Sequence, residues 1–213
     1  MSHRPLLITL PEYTRAFRVI RTVLDGVDAS TTKACLFFSL AGAEILRKHY
    51  KKNAFPVAGS AFFRVHDESD TVLSFSHMES NSISSSTTAF HSWIMCDGMI
   101  IDFMAPLFKE ASFEAGIQYE IPRKMFQKNE ELMSNSYNTL CQEGDFYLEP
   151  NIELTKTLFQ GLSEKPANRD LVEICVHWFR KPPKKIKLSL TMTDDLGELT
   201  KMNLSKLSLK GAW

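Results

Sequence analysis

The chain has 213 residues, of which 44% are hydrophobic and 11% aromatic, enough to bury a core of its own, and this favours a single domain over residues 1–213. Its 25 basic and 25 acidic side chains cancel, so the charge balance predicts no nucleic acid, membrane or polyanionic substrate as partner. There is no signal-peptide pattern and no apolar run long enough to span a bilayer. We therefore expect a soluble, cytoplasmic protein.

The first half of the chain begins with two predicted helices. Residues Pro11 to Gly26 carry apolar side chains at helical spacing, with proline at the start and glycine at the end. The second helix is built on the run Thr32 to Leu46, TKACLFFSLAGAEIL, and continues to about Tyr50. Because this run is apolar on nearly every side, we expect it to be covered on nearly every side. Cys35 lies in its first turn.

Two strands and a serine-rich segment follow the helices. Val57 to Val65 and Thr71 to Phe75 alternate with period two and predict a hairpin that packs on the second helix, with a charged turn at His66 to Asp70. Ser74 to Thr88 is composed mainly of serine and threonine, which predicts a mobile surface loop. A lid and a plain linker are both consistent with that composition.

The next hairpin places two candidate site residues on one face of a sheet. Ala89 to Cys96 and Met99 to Met104 read as strands joined by Asp97-Gly98, a strong signal for a two-residue type I′ turn. Counting outward from this turn, Cys96 pairs with Met99, and the pairing continues outward until Trp93 pairs with Asp102. The predicted alternation puts His91, Trp93, Asp102 and Met104 on one face. His91 and Asp102 are then diagonal neighbours within side-chain reach.

The second half of the chain carries weaker patterns. Beyond Pro106 we predict the following elements: helices over Phe108 to Gly116, Arg123 to Ser134, Glu153 to Leu162 and Ala167 to Phe179, and strands over Ile117 to Ile121 and Ile186 to Thr193. Lysines 181, 184, 185 and 187 cluster around Pro182-Pro183. A solvated turn explains this cluster better than an anionic partner does.

A cysteine at the start of a helix has chemical consequences. A thiol attacks as the thiolate, which the unpaired N–H groups and dipole of a helix N-terminus stabilise. His91 could accept the thiol proton and Asp102 could orient the imidazole, while the backbone N–H of Cys35 could stabilise an oxyanion. The other cysteines, at 96, 141 and 175, form no CxxC pair and are expected to be reduced and structural.

These residues resemble those of a known superfamily. The chain is similar to the papain-like and transglutaminase-like cysteine enzymes in three segments. These are the helix from Cys35 to Ala41 with its basic end at Arg47-Lys48, the His-x-Trp strand at His91 and Trp93, and the turn Asp97-Gly98. The nearest branch is that of small bacterial transglutaminase-like proteins, which includes the leader peptidases of lasso-peptide maturation. The resemblance covers about residues 30–106, and residues 107–213 match no pattern of that superfamily.

The resemblance implies an α+β papain-like fold, in which a buried, N-terminal cysteine-bearing helix packs on an antiparallel sheet. It implies a Cys-His-Asp triad with Cys35 as nucleophile, His91 as general base and acid, and Asp102 as orienting carboxylate. The expected substrate is a peptide, amide or thioester, and hydrolysis and acyl transfer both stay open. Trp93 could shield the His-Asp pair or touch substrate, although a core role is the ordinary one for such a residue.

The pattern departs from the papain type in one respect. Papain-type peptidases carry a glutamine shortly before the cysteine as the second oxyanion donor, but this chain has none before position 118. A protein that kept the fold for binding and lost catalysis is therefore the alternative. The sequence holds no phosphate-binding glycine loop or metal-ligand cluster, so neither a cofactor nor a metal is expected.

Overall fold

The computed structural model describes residues 6–67, 70–80, 82–116 and 120–213. The helices are α1 Leu10–Asp25, α2 Cys35–Tyr50, α3 Phe108–Glu114, α4 Ile152–Ser163 and α5 Pro166–Trp178. The strands are β1 Ala54–His66, β2 Thr71–Phe75, β3 His77–Glu79, β4 Ser82–Ser84, β5 His91–Cys96, β6 Met99–Asp102, β7 Phe126–Asn129, β8 Phe146–Pro150, β9 Ser189–Thr193 and β10 Leu199–Asn203. Within the described ranges, no helix has the length and apolar character needed to cross a membrane.

The protein is of the α+β class, with its helices gathered on a sheet whose strands pair antiparallel. Helix α2 lies at the centre, because it contacts α1, α5, β1 and β5. This confirms the prediction that the apolar run of α2 is covered on nearly every side. The large core cluster contains α2 together with the inner faces of α1 and α5.

Strand β1 organises the sheet, in the order β2-β1-β5-β6-β7, with β8 also on β1. Gly59 pairs with His91, the first residue of β5, and Ala61 pairs with Phe75, the last residue of β2. Both residues also pair with β8, so β8 occupies the other edge of β1. Strands β2 and β5 therefore lie end to end along one edge, and residues 76–90 leave and rejoin the sheet at this fork.

The hairpin of β5 and β6 forms as predicted. Asp97 and Gly98 have positive φ angles of 52° and 77°, as both central residues of a type I′ turn require. Cys96 pairs with Met99, and Ile94 pairs with Ile101. The register derived from the turn is therefore confirmed.

The two faces of β5 have different neighbours. Ile94 and Cys96 lie in the core cluster formed around α2. Trp93, on the alternate face, belongs to a second cluster that contains Phe63, Phe108 and other side chains of β1, β7 and β8. His91 lies two residues before Trp93 and therefore on the same face, so it points into the second cluster, as the sequence predicts.

Several predictions for the second half are confirmed in outline. Helices α3, α4 and α5 and strand β9 form near the predicted positions. The predicted strand Ile117 to Ile121 lies mostly outside the described residues, since 117–119 are not covered. Strands β8 and β10 have no counterpart among the predictions.

The helix predicted for Arg123 to Ser134 is wrong. Residues 126–129 form β7, which pairs with β6 through Asp102 and Phe126, and a 3₁₀ turn follows at Glu130–Leu132. Local composition favours a helix here, but pairing with the open edge of β6 and burial of Phe126 outweigh that preference. The consequence for the site is direct, because β7 covers the edge of the strand that ends in Asp102.

The serine-rich segment is more ordered than its composition suggests. Within Ser74 to Thr88, β3 and β4 pair as a small hairpin in which His77 faces Ser84. The hairpin lies on the surface, as predicted, and its side chains are mostly exposed. Hydroxyl contacts such as the one between Ser60 and Ser76 Oγ atoms, 3.0 Å apart, attach its base to β1.

Gly42 sets the distance between α2 and the sheet. A Cβ atom at this position would lie 2.7 Å from Phe103 Cε2 and 2.8 Å from Ile94 Cδ1. We expect Gly42→Ala to lower the free energy of unfolding by about 1–3 kcal/mol through overpacking. Gly161, in α4, has no atom within 4 Å of such a Cβ, so Gly161→Ala should instead stabilise by about 0.5–1 kcal/mol. Urea unfolding of both variants measures the contrast, and equal effects of the same sign would contradict it.

Candidate active site

Cys35 is the first residue of α2 and follows a 3₁₀ turn at Thr31–Lys33. The N-cap residue is Ala34, whose side chain cannot accept a hydrogen bond from the first turn of the helix. The N–H groups of that turn are thus free of a side-chain cap and lie beside the thiol. The Cys35 side chain is buried, with 6% of the residue exposed.

His91 and Asp102 form a buried hydrogen-bonded pair. His91 Nε2 lies 2.7 Å from Asp102 Oδ2, and the residues are 0% and 2% exposed. The other carboxylate oxygen, Oδ1, accepts a hydrogen bond of 2.8 Å from the backbone N–H of Met104. Both oxygens of Asp102 are therefore occupied, which fixes the carboxylate and leaves only Nδ1 of the imidazole available.

The second ring nitrogen of His91, Nδ1, forms no hydrogen bond with the described residues. His91 Nδ1 is buried and unpaired by geometry, yet the Cys35 thiol lies close enough to influence the ring. Burial lowers the pKa of His91, but the charge and hydrogen bond of Asp102 raise it, and Cys35 adds to the rise. The net result is a pKa well above that of an ordinary histidine. His91 is then protonated at neutral pH, with Nδ1–H as a donor beside the sulfur.

Aromatic rings enclose the imidazole. The ring centroid of His91 lies 4.5 Å from that of Phe75, 5.6 Å from that of Phe63 and 6.0 Å from that of Phe108. The fork in the sheet explains the closest contact, because Phe75 and His91 pair with residues two apart on β1 and share a face. These rings keep water from the His91–Asp102 hydrogen bond and strengthen it.

Trp93 lies on the same face of β5 as His91, two residues further along the strand. It is 1% exposed and belongs to the cluster beneath the sheet. Three phenylalanines pack around His91, and shielding of the His91–Asp102 pair by Trp93 stays a prediction. A role for Trp93 in substrate contact stays a prediction.

Two serines join the helix that carries Cys35 to the strand that carries His91. Ser39 lies four residues after Cys35, and its Oγ is 2.7 Å from that of Ser92. Ser92 Oγ donates to the carbonyl oxygen of Val57, 2.9 Å away. The hydroxyls thus form a buried chain from α2 through β5 to β1, which fixes the position of Cys35 relative to His91.

Tyr13 of α1 supports the end of β6. Its hydroxyl donates to the backbone carbonyl of Asp102 and accepts a 3.4 Å hydrogen bond from the N–H of Phe126. The ring stacks on Phe103 with centroids 4.7 Å apart. Burial and the charge of Asp102 raise the pKa of Tyr13 well above its ordinary value, so the hydroxyl keeps its proton and remains a donor.

Helix α3 connects the surroundings of His91 with those of Cys35. Its first residue, Phe108, contacts the imidazole. Its last residue, Glu114, accepts hydrogen bonds of 2.9 and 3.0 Å from Thr32 Oγ1, three residues before Cys35. The Cys35 thiol is covered in this structure, and a molecule that approaches the sulfur must displace the covering segments.

The structure brings together three of the four predicted site residues, Cys35, His91 and Asp102. Sequence reasoning did not identify the aromatic enclosure or the serine pair. Ser39 and Ser92 could have been found, because each is a polar residue in an apolar run and each neighbours a candidate site residue. A second oxyanion donor is not assigned. Across the described ranges, no group of three or more His, Cys, Asp and Glu residues is arranged to hold a metal ion.

Comparisons with known proteins give a family and a close structural relative. A family model described as "Protein of unknown function (DUF2026)" matches residues 9–213. A solved crystal structure, described only as that of a genomics target, is 35% identical to the chain, covers 100% of both chains and superposes with a TM-score of 0.88. No curated protein matches the chain.

Proposed function

We propose that the chain, which belongs to the DUF2026 family of proteins of unknown function, is a papain-like cysteine hydrolase that forms an acyl-enzyme at Cys35. Hydrolysis of a peptide or amide bond is the favoured reaction, and transfer of the acyl group to another nucleophile uses the same intermediate. His91 is the general base and acid, and Asp102 is the orienting carboxylate.

One observation supports this proposal most directly. The fully buried imidazole of His91 is fixed through Nε2 by Asp102, while Nδ1 lacks a strict partner beside the Cys35 thiol. A buried unpaired nitrogen costs roughly 1–3 kcal/mol, and perturbed buried histidines concentrate at functional sites. A purely structural histidine has no reason to keep its free nitrogen next to a cysteine at an uncapped helix start.

The proposed reaction uses each group once in each half. The Cys35 thiolate attacks the carbonyl carbon, and the oxyanion that forms is stabilised by the backbone N–H of Cys35. His91 Nδ1–H protonates the amine as the C–N bond breaks, which leaves a thioester on Cys35. Water then attacks the thioester while neutral His91 Nδ1 takes its proton. Loss of the thiolate releases the carboxylic acid and restores the ion pair.

Covalent capture by an electrophilic peptide library tests the proposal. Peptides that end in a vinyl sulfone, incubated with the full chain, should form an adduct at Cys35 that peptide mapping locates. Cys35→Ala should abolish both the adduct and any hydrolysis found by screening unmodified peptides. The matched control is Cys141→Ala, which removes an exposed thiol and should change neither. Hydrolysis that survives in Cys35→Ala would reject the proposal.

The closure of the site supports a second candidate, a binding or scaffold protein that keeps the fold without catalysis. Cys35, His91 and Asp102 are all buried, and Phe75 packs on the imidazole. For this candidate, no electrophilic peptide would modify Cys35 in the folded protein, whereas Cys141 would still react with small alkylating reagents.

A further inference from the structure

A basic cavity lies at the opposite end of α2 from Cys35. It has a volume of about 740 Å³ and is formed where the last turns of α2 and α5 meet the segment around Pro182-Pro183. Four cationic side chains line it, those of Lys48, Arg180, Lys181 and Lys184, and no acidic residue does. In a chain whose charges cancel, this is a local concentration of one sign.

The four cations are not held in short ion pairs by carboxylates of the described residues. Within the described part of the chain, none of them forms a salt bridge. Lys181 lies over the ring of Tyr50, with Nζ 4.4 Å from the ring centroid, and it also interacts electrostatically with Glu12. Glu12 therefore offsets part of the positive charge, and Asp170 and Glu173, which line a neighbouring pocket together with Arg180, offset a further part.

Helix dipoles account for part of this charge but not for all of it. The C-terminal ends of α2 and α5 each carry about half a negative charge, and basic residues in the last turn are the usual complement. Two helix ends and Glu12 together offset about two of the four positive charges. The lining of the cavity itself contains no acidic residue to offset the rest, and it also includes His49 and His177.

Part of the cavity wall is apolar, and the backbone around it is well fixed. Phe179 packs edge-on against His49, with ring centroids 5.0 Å apart, and Pro182 and Pro183 form another wall. Arg15 Nη1 donates to the backbone carbonyl of Lys184 at 2.8 Å and to that of Arg180. The backbone that carries the cations is therefore held to α1.

We propose that this cavity binds a small phosphorylated organic molecule of nucleotide size, with the phosphates on Arg180, Lys181 and Lys184. The volume is in the range of small-molecule sites, roughly 300–1,000 Å³. Cations at the mouth suit multivalent phosphate, since arginine offers paired donors and lysine a mobile point charge. The apolar walls suit a planar or hydrophobic part. A concave, walled site favours a small ligand over a nucleic acid or an acidic protein surface.

The cavity is separate from the candidate active site. Cys35 and Tyr50 are the two ends of α2, and 15 residue steps of about 1.5 Å place them about 22 Å apart. The proposal does not depend on the function assigned to Cys35. Labelling of Cys35 can therefore report whether a variant of the cavity has left the rest of the protein intact.

Calorimetric titration of the full chain with inorganic pyrophosphate and with ATP, at low salt and without metal, tests the proposal. We expect saturable binding of both probes, tighter for ATP because its base contacts the apolar walls, and weaker binding of both as salt is raised. Arg180→Ala with Lys181→Ala should weaken both by about tenfold or more, as loss of charged hydrogen bonds predicts.

The matched control removes the same charge elsewhere. Lys156 and Lys165 are exposed, on α4 and at the start of α5, so Lys156→Ala with Lys165→Ala should leave both affinities unchanged. Circular dichroism and Cys35 labelling should be unchanged in both double variants. Absence of saturable binding by the parent chain, equal weakening in the two double variants, or ATP binding no tighter than pyrophosphate would each overturn the proposal.

Discussion

His91→Gln is expected to slow alkylation of Cys35 by iodoacetamide between pH 6 and 7 by roughly tenfold to a hundredfold. An unassisted thiol is about 1% thiolate two pH units below its pKa. Burial lowers the pKa of His91, but Asp102 raises it above the ordinary value, so in the proposed mechanism a positive charge on the imidazole assists attack by the sulfur. Part of that gain is lost because a stabilised thiolate is a weaker nucleophile. Glutamine keeps the polarity of the side chain but cannot carry the charge.

The pH dependence of alkylation distinguishes activation of the Cys35 thiol by His91 from a change in the access of the reagent to the thiol. If His91 assists the sulfur, the alkylation rate at Cys35 should exceed that of His91→Gln most at the acidic end of the range from pH 6 to 8, and the difference between the two proteins should shrink as pH rises. Cys141 is exposed and serves as an internal reference, because its rate should be the same in both proteins. Mass spectrometry of time-resolved samples gives both rates. Equal Cys35 rates in the two proteins would show that His91 does not activate the thiol.

Asp102→Ala should lower the free energy of unfolding at neutral pH by about 3–5 kcal/mol, the range for removing one partner of a buried ionic pair. The variant leaves the imidazole without its hydrogen bond of 2.7 Å and the N–H of Met104 without an acceptor. Asp102→Asn keeps an acceptor and should lose less. Urea unfolding measures both variants, and the Asn variant remains informative if the Ala variant fails to fold.

The stability difference should also depend on pH. In the folded state burial lowers the pKa of His91, but the charge of Asp102 outweighs burial and raises the pKa above its ordinary value. Its contribution to stability is therefore complete below the unfolded pKa of about 6.5 and lost as pH rises through the higher folded value. The difference in the free energy of unfolding between the parent chain and Asp102→Ala should therefore become smaller in that alkaline range. Asp70→Ala, which removes an exposed partner of Arg64, is the control and should cost at most about 1 kcal/mol at any pH.

The candidate site is more predictable from sequence than most of the fold. Asp97-Gly98 permits only a tight turn, which fixes the register of β5 and β6 and hence the shared face of His91 and Asp102. The position of Cys35 at a helix start follows from the polar residues that precede an apolar run. Features of this kind can be predicted because residues close together along the chain determine them.

The parts that were missed depend on contacts between distant segments. Strand β7 forms because the edge of β6 is open, and no local pattern in Arg123 to Ser134 carries that information. Strand β8 pairs with β1 through residues nearly ninety positions apart, such as Ala61 and Leu148. The enclosure of His91 by Phe63, Phe75 and Phe108 arises from the same long-range topology.

The fork in the sheet separates two strands of fixed register, β2 and β5, from the surface segment that joins them. Phe75 and His91 are each held by β1, at Ala61 and Gly59, before and after the serine-rich segment. The chain between them can change in length or sequence without shifting the register of either strand. Replacement of this one surface segment would therefore leave the buried His91–Asp102 pair in its present position.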